Sequence, residues 1–502
     1  MQASVLPLLS MMVLLPALGA AGLGRVLSPE RARKVAVTVA SLTLVLAVGA
    51  LALVQASEGA RAMASLGQVL RLGVNGMSVV AMLLTALLTL GLVAAGPRQM
   101  LDMATLRAVL LTESAALGFF CVQDLGLMLV FWVAMLLPAE VLISRRAKAE
   151  PEARAVRTFR IYLLAGSLPL LAAVVLLGLP GWQSGAAAPL GLSELLARGI
   201  PAPRQTAILA LMMLAVAFRM AVVPFHSWLP VLLARGPFGV GMLMVSAHTG
   251  LYLLVRVAMP LLPEAWAAFS PLLEGVGLFC ALYGAVLALA QMDLRRTVGF
   301  LLVSQSGLML AGLAERNTES LAGALLQSVA AAVPLTGLML VVRAIEVRTG
   351  TADMTRLGGL VRRAPRMAAL YFLLGIASLG FPGTLSFVGE DLLLHGILGT
   401  HPLVALPLLL TTAINGITFL RSFQRTFLGA PAHGHASVLD TVEDLLPRER
   451  IAALALCVLA FLGGLFPGPL MRLREHEVSA LAGPAAAEHA EAGAHGPAMA
   501  SH

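Results

Sequence analysis

Few side chains in this sequence can carry charge inside an apolar run, and those few define the chemistry open to it. Arg219 stands five residues before Pro224, with His226 just beyond, and His248 lies in the middle of the next apolar stretch. Glu113 and Asp124 bracket two earlier stretches, and Glu140 lies late in the second of them. Gln305 and Gln327 occupy a later pair, and Glu390, Asp391 and His395 follow Pro382 and Gly383. An ionisable side chain at a membrane-helix centre costs about 2.5–3.5 kcal/mol on insertion scales, so each is a functional candidate. A carboxylate, an arginine and a histidine on neighbouring helices supply the acid, counter-ion and relay of a proton path, because buried Glu and His can titrate near neutral pH. Taken singly, such a residue more often ties helices together; as a series along a bundle it reads as a path.

The elements that must hold these residues dominate the chain. Its 502 residues are 59% hydrophobic and 12% charged, with a mean hydropathy of +0.90, against about 25% charged residues in soluble domains. Apolar runs of about 20 residues satisfy their backbone in a bilayer only as helices. The expected fold class is therefore an all-α polytopic membrane protein of about 14 transmembrane helices. They are placed near 4–24, 34–55, 73–95, 103–121, 124–143, 159–179, 206–230, 238–259, 272–291, 297–314, 319–344, 367–397, 403–427 and 451–470. The first, Val5 to Gly24, lacks the basic stretch that opens a signal peptide and reads as a membrane helix.

Two spans are interrupted. The seventh contains Pro224 and Pro230, and the twelfth, too long for one straight crossing, contains Phe381-Pro382-Gly383-Thr384. One broken helix in each half points to two inverted repeats with an ion path near the midplane; two ordinary proline kinks are the alternative.

The net charge of +8 sits in loops, which excludes a nucleic-acid partner and leaves the lipid bilayer. Most of the 34 Lys and Arg follow odd-numbered spans, for example Arg145, Arg146, Lys148, Arg154, Arg157 and Arg160, whereas only Arg61, Arg71, Arg198, Arg204, Arg256 and Arg316 are assigned to loops after even-numbered spans. Those loops are expected in the cytoplasm and both termini outside. Cys121, Cys280 and Cys457 are isolated, with no spacing suited to an iron–sulfur cluster, zinc or a disulfide framework. The tail, 471–502, is rich in Ala, Gly, Glu and His and is expected to be disordered; His476, His489, His495 and His502 lack metal-ligand spacing.

Four stretches resemble a known family. Phe218-Arg219-Met220-Ala221-Val222-Val223-Pro224-Phe225-His226-Ser227-Trp228-Leu229-Pro230 is similar to its seventh-helix pattern of a basic residue followed by V-P-x-H-x-W-L-P. Ala290-Gln291-Met292-Asp293-Leu294-Arg295-Arg296, with Ser304 to Gly307, resembles its A-x-x-D-x-K-R and S-x-x-G elements. Gly380 to Glu390 resembles P-G-T-x-x-F-V-G-E, and Asp353 to Leu360 fits the loop before it. The family is that of the antiporter-like M subunits (chain 4 type) of bacterial proton-pumping NADH:quinone oxidoreductase, complex I. The resemblance spans about residues 100 to 470. It implies three N-terminal helices in 1–100, and in 101–470 an antiporter-like proton-conducting domain of two inverted five-helix repeats plus a final helix.

The resemblance further implies a multi-pass subunit of the bacterial inner (cytoplasmic) membrane that translocates protons beside other membrane-arm subunits, especially neighbouring antiporter-like ones. It would bind no cofactor itself, since NADH, flavin, iron–sulfur clusters and quinone belong to partner subunits. The path would run through Glu140, Arg219, His248 and Gln305, with helix breaks at Pro224, Pro382 and Gly383, and with Glu113, Asp124, His226, Glu390 and Asp391 in support.

Several family positions are altered. Val133 stands where the channel glutamate belongs, and Glu140 follows seven residues later, about 20° from the same helix face and about 10 Å further along. Arg219 replaces a lysine, and an arginine stays protonated where a buried lysine can release its proton. His248 occupies the eighth-helix lysine region, and Gln305 and Ala331 stand where histidines are common. The two lysines, Lys34 and Lys148, are in loops. Two other readings therefore stay open: a non-pumping scaffold of the same complex, or the related subunit of a cation/proton antiporter or membrane-bound hydrogenase.

Overall fold

The computed structural model describes residues 2–24, 28–56, 62–66, 70–146, 150–186, 188–236, 239–246, 248–399, 402–430 and 441–482. The chain opens with α1 (Gln2–Leu23) and α2 (Pro29–Ala56), an antiparallel hairpin of β1 (Ala62–Leu66) and β2 (Leu70–Val74), then α3 (Gly76–Ala95) and α4 (Met103–Cys121). Next come α5 (Leu125–Ala134), α6 (Leu137–Arg146), α7 (Glu150–Ala165), α8 (Ser167–Gln183) and the short α9 (Leu192–Arg198). The middle of the chain forms α10 (Ala202–Arg219), α11 (Trp228–Arg235), α12 (Val240–Ser246), α13 (Thr249–Leu253), α14 (Met259–Leu261), α15 (Pro263–Ala290), α16 (Leu294–Ala314) and α17 (Thr318–Thr349). It ends with α18 (Pro365–Ala377), α19 (Leu385–Leu398), α20 (Ala405–Phe423), α21 (Pro447–Leu465) and α22 (Gly468–Ala482).

Local chemistry sets many of these starts. Asn75, Asp102, Asp124, Asp293, Asn317 and Thr384 each precede a helix and accept a hydrogen bond from an amide of its first turn. The seventh and twelfth expected spans are both broken. Residues 220–227, with Pro224, part α10 from α11, and residues 378–384 part α18 from α19. Gly383 adopts φ +88, a left-handed conformation that a side chain resists. Pro230 does not break anything: it lies in the first turn of α11, where a missing N–H is harmless.

Among the described residues, eleven helical runs are long and apolar enough to cross a membrane, or twelve if α21 and α22, bent by 66°, count as one. Helices α16 and α17 form the centre, buried along their apolar lengths. Around them the outer helices turn Val45, Ile161, Leu168, Leu272 and Leu403 outward, each more than half exposed. A surface of this kind needs lipid or partner helices against it.

The structure corrects three expectations. The β1–β2 hairpin departs from an all-α chain. Its second strand packs on the bundle, where the Gln123 amide N–H donates to the Arg71 carbonyl at 3.0 Å, and the Arg71 side chain is ion-paired with Glu194. Burial raises the Glu194 carboxyl, but hydrogen bonds from Arg71 and Ser193 outweigh it and hold the group below the ordinary carboxylate range. The expected disordered tail begins as helix: α22 runs to Ala482 and buries Arg474 and Val478. Its remainder, with His489, His495 and His502, lies outside the described residues. Arg256, expected at an outer loop, is buried in the helical run from Thr249 to Leu261 and donates to Gln123 Oε1 at 2.7 Å.

Candidate functional site

Arg219 closes the last turn of α10 at the helix break and is 5% exposed. Its Nε donates to Thr249 Oγ1 at 3.1 Å, Nη2 meets the Met135 sulfur, and the guanidinium carbon lies 4.9 Å from the Trp132 ring centre. Nη1 has no partner, and no carboxylate reaches the group among the described residues. Trp132 and Met135, three residues apart, share the helix face turned to Arg219. Val133 is about 100° round from Trp132 on that helix.

Glu140 occupies the face it shares with Val133, and that face is turned to α7. Its carboxylate accepts from Arg160 Nε at 2.9 Å and Nη2 at 2.5 Å, and from Ser144 Oγ at 2.9 Å. Arg160 is about half exposed. Glu140 and Arg219 are thus not brought together: the expected carboxylate for Arg219 is engaged in an ion pair at the rim of the bundle.

His248 begins α13 with φ +47, ψ +38, an uncommon left-handed geometry for a residue with a bulky side chain. It is 8% exposed, and its Nε2 has no partner. The adjacent residue Thr249 bonds Arg219, so the Arg219 contact and His248 fall on consecutive residues at the start of α13. A cavity of about 30 Å³ opens beside His248, lined also by Tyr252, Leu325, Ser328 and Arg474.

The second half of the bundle holds a connected network. Glu390, in the second turn of α19, accepts from Thr412 Oγ1 of α20 at 2.9 Å and from Gln327 Nε2 of α17 at 3.5 Å. Gln327 Nε2 also donates to Gln305 Oε1 of α16 at 2.5 Å. Asn415, one turn beyond Thr412, donates to Ser304 Oγ at 3.0 Å. Four helices thereby converge on one buried carboxyl group, and both glutamines are buried with it. Gln305, expected in the path, and Glu390, expected in support, belong to one unit.

The remaining expected residues divide. Glu113 does not bracket a span: it sits in the middle of α4, fully buried, and neither carboxyl oxygen has a hydrogen-bond partner. Asp124 is a helix cap, accepting from the Leu127 amide at 3.0 Å. His226 is half-buried in the break, edge-on to Tyr283 at 5.4 Å, with Nδ1 unpartnered. Asp391 is about half exposed and pairs with His395 at 3.5 Å on the outer surface of α19. Pro224 and Pro382 are exposed at their breaks.

Thr249, Thr412, Asn415 and Arg474 were not singled out from sequence. Thr412 and Asn415 are polar residues in an apolar run, a legible signal; that Thr249 would face Arg219 required the fold.

Comparison with known proteins places this geometry. Residues 122–415 match the family described as NADH:quinone oxidoreductase/Mrp antiporter, transmembrane. The chain is 30% identical over 362 residues to NADH-quinone oxidoreductase subunit M of Pseudomonas aeruginosa, covering 71% of this chain and 70% of that one. It is 32% identical over 408 residues to NADH-quinone oxidoreductase subunit 13 of Thermus thermophilus, covering 80% and 82%. Its structure superposes on a chain of respiratory complex I from Thermus thermophilus with bound NADH at a TM-score of 0.84, with 29% identity, 95% of this chain and 100% of that one. A chain of the Mrp complex from Dietzia shares the fold, with a TM-score of 0.80 and 22% identity, covering 96% and 99%. The chain belongs to the NADH:quinone oxidoreductase/Mrp antiporter transmembrane family, as a relative of the M subunits of NADH-quinone oxidoreductase.

Proposed function

We propose that this chain is the M-type, antiporter-like subunit of a proton-translocating NADH:quinone oxidoreductase in a bacterial cytoplasmic membrane. It moves protons while partner subunits hold NADH, flavin, iron–sulfur clusters and quinone, and it binds none of these itself. Its partners are other membrane-arm subunits, covering the apolar outer faces that lipid does not. The two broken runs, 202–235 and 365–398, and the bent pair α21–α22, added to the eleven continuous runs, make fourteen crossings. One break in each half supports two inverted repeats within 101–470, behind three N-terminal helices.

The observation that carries this reading is the enclosed chain Glu390–Gln327–Gln305, with Thr412. Glu390 is its titratable member, taking and releasing a proton at its carboxyl oxygens. The amides and the hydroxyl hold that carboxyl in place while water carries protons to and from it. A buried acid so held is expensive to maintain and is the hallmark of an intramembrane proton relay.

A scaffold role is favoured by one specific observation: in the first half Arg219 faces Trp132, Met135 and Thr249 instead of a carboxylate. The two readings separate in proteoliposomes of the whole complex carrying Glu390→Gln, which keeps shape and hydrogen-bonding capacity. A relay predicts that coupled turnover falls by on the order of 10²-fold, the usual effect of losing a positioned proton donor. Proton yield and quinone reduction both within twofold of wild type would establish the scaffold.

A further inference from the structure

Beyond Leu465 the chain bends by 66° and α22 returns against the bundle. Arg474 projects from it into the interior, 6% exposed, and its Nη1 donates to the Leu325 carbonyl of α17 at 2.6 Å. Its Nε is buried without a partner among the described residues, and so is Nε2 of His248. Both side chains line the same cavity of about 30 Å³. A water needs at least about 10–15 Å³ and two to four polar partners.

We propose that this cavity is a water site, in which one bound water joins Arg474 to His248, and that Arg474 is a positioning residue that closes the outer end of the path at His248. The assignment of donors is forced by the chemistry. Arginine has N–H groups and no acceptor, so Nε–H donates to the water oxygen. The water then donates to His248 Nε2, which must carry a lone pair, leaving the ring proton on Nδ1 towards the Ser328 main chain beside it. Each buried polar atom would otherwise lose its hydrogen bond to water on folding and gain none in return, and one water answers both.

The fixed charge gives the site its second property. Guanidinium does not release its proton, so it cannot relay, and it opposes a positive charge arriving from its own side. Glu477, one turn further along α22, and Arg256, held by Gln123, are the other charged groups of this region, and the Tyr252 hydroxyl is spent on the Phe120 carbonyl. The barrier rests on the proton-path reading; the water site does not.

The test uses the whole purified complex. A high-resolution map of the wild type is expected to show one ordered water between Arg474 Nε and His248 Nε2; an empty cavity in a map that resolves buried waters elsewhere overturns the site. In proteoliposomes without NADH, Arg474→Leu is expected to raise passive proton permeability about tenfold or more, as for a barrier lowered by about 1.4 kcal/mol. Arg474→Lys should restore the seal, and adding His248→Asn to Arg474→Leu should abolish the leak. Wild-type permeability in assembled Arg474→Leu overturns the barrier. If that variant fails to assemble, the Arg474→Lys complex decides: it must keep both the water and the seal. A chain that does not translocate at all is recognised separately, by an inert Glu390→Gln.

Discussion

The guanidinium of Arg219 is held by a hydroxyl, a thioether and an indole face. None of these compensates a full charge as a carboxylate would, and one of its nitrogens bonds nothing. Removing a charge that is buried and incompletely paired, and refilling its volume with an apolar side chain, is often neutral or stabilising by about 1–4 kcal/mol. Arg219→Met, which fits beside Met135 and Trp132, is therefore expected to raise the thermal stability of the assembled complex while lowering coupled turnover. Both are read on one preparation, by a melting curve and by quinone reduction. A variant that melts lower shows Arg219 to be a structural tie, and one with unchanged turnover removes it from the path. At this scale the sequence was informative about which groups are buried and silent about which groups meet. Burial of Arg219, His248 and Glu390 follows from their position in apolar runs, whereas Glu113, read as bracketing a stretch, lies inside one. That Glu140 turns to Arg160, or that Gln305 reaches Glu390 through Gln327, depends on helix rotations that no single run encodes.

Elements bring these groups together through close approach. Helices α15 and α16 cross along small residues: a Cβ built at Gly307 would lie 2.3 Å from the Ala281 nitrogen, and one at Gly284 would lie 2.6 Å from the Ser304 nitrogen. At and beside these contacts stand Ser304 and Gln305, which meet α20 and α17. Lipid offers no hydrophobic drive for helix pairing, so such small-residue contact is what sets the spacing. Gly307→Leu should therefore force the pair apart, costing about 1–3 kcal/mol or more as overpacking does, and should reduce the assembled complex and its melting temperature. Normal assembly and stability would show that the contact is dispensable. The helix breaks were legible because proline and glycine act locally, whatever surrounds them. Helix α22 was missed because its composition resembles a solvated tail. Yet Leu470, Leu473, Val478 and Leu481, all packed on the core, fall on a helical spacing that could have revealed it. The β1–β2 hairpin is shorter than any membrane strand and left no comparable trace.

For the whole molecule, the distribution of charge and the fold make one joint statement. The proposed fourteen crossings put the α22 end of the last crossing, the β1–β2 hairpin and the 184–200 segment on the outer side, while the Arg-rich segment before α18 faces the cytoplasm. Two features of the fold agree with this grouping. Arg71 of β2 reaches Glu194 of α9, and Arg348 at the end of α17 reaches Glu449 at the start of α21, each a link within one proposed side. The native cysteines, Cys121, Cys280 and Cys457, are all buried, so an introduced cysteine can be labelled against a quiet background. Ser184 and Thr355 are exposed, one in each group. In intact cells, Ser184→Cys should react with a membrane-impermeant maleimide, and Thr355→Cys should react only once the membrane is opened. Reaction at both positions in intact cells would place the two segments on one side and remove a crossing from the count. The reverse pattern would turn the molecule over, moving the Arg474–His248 cavity to the cytoplasmic face, so that it would seal the inner end of the path.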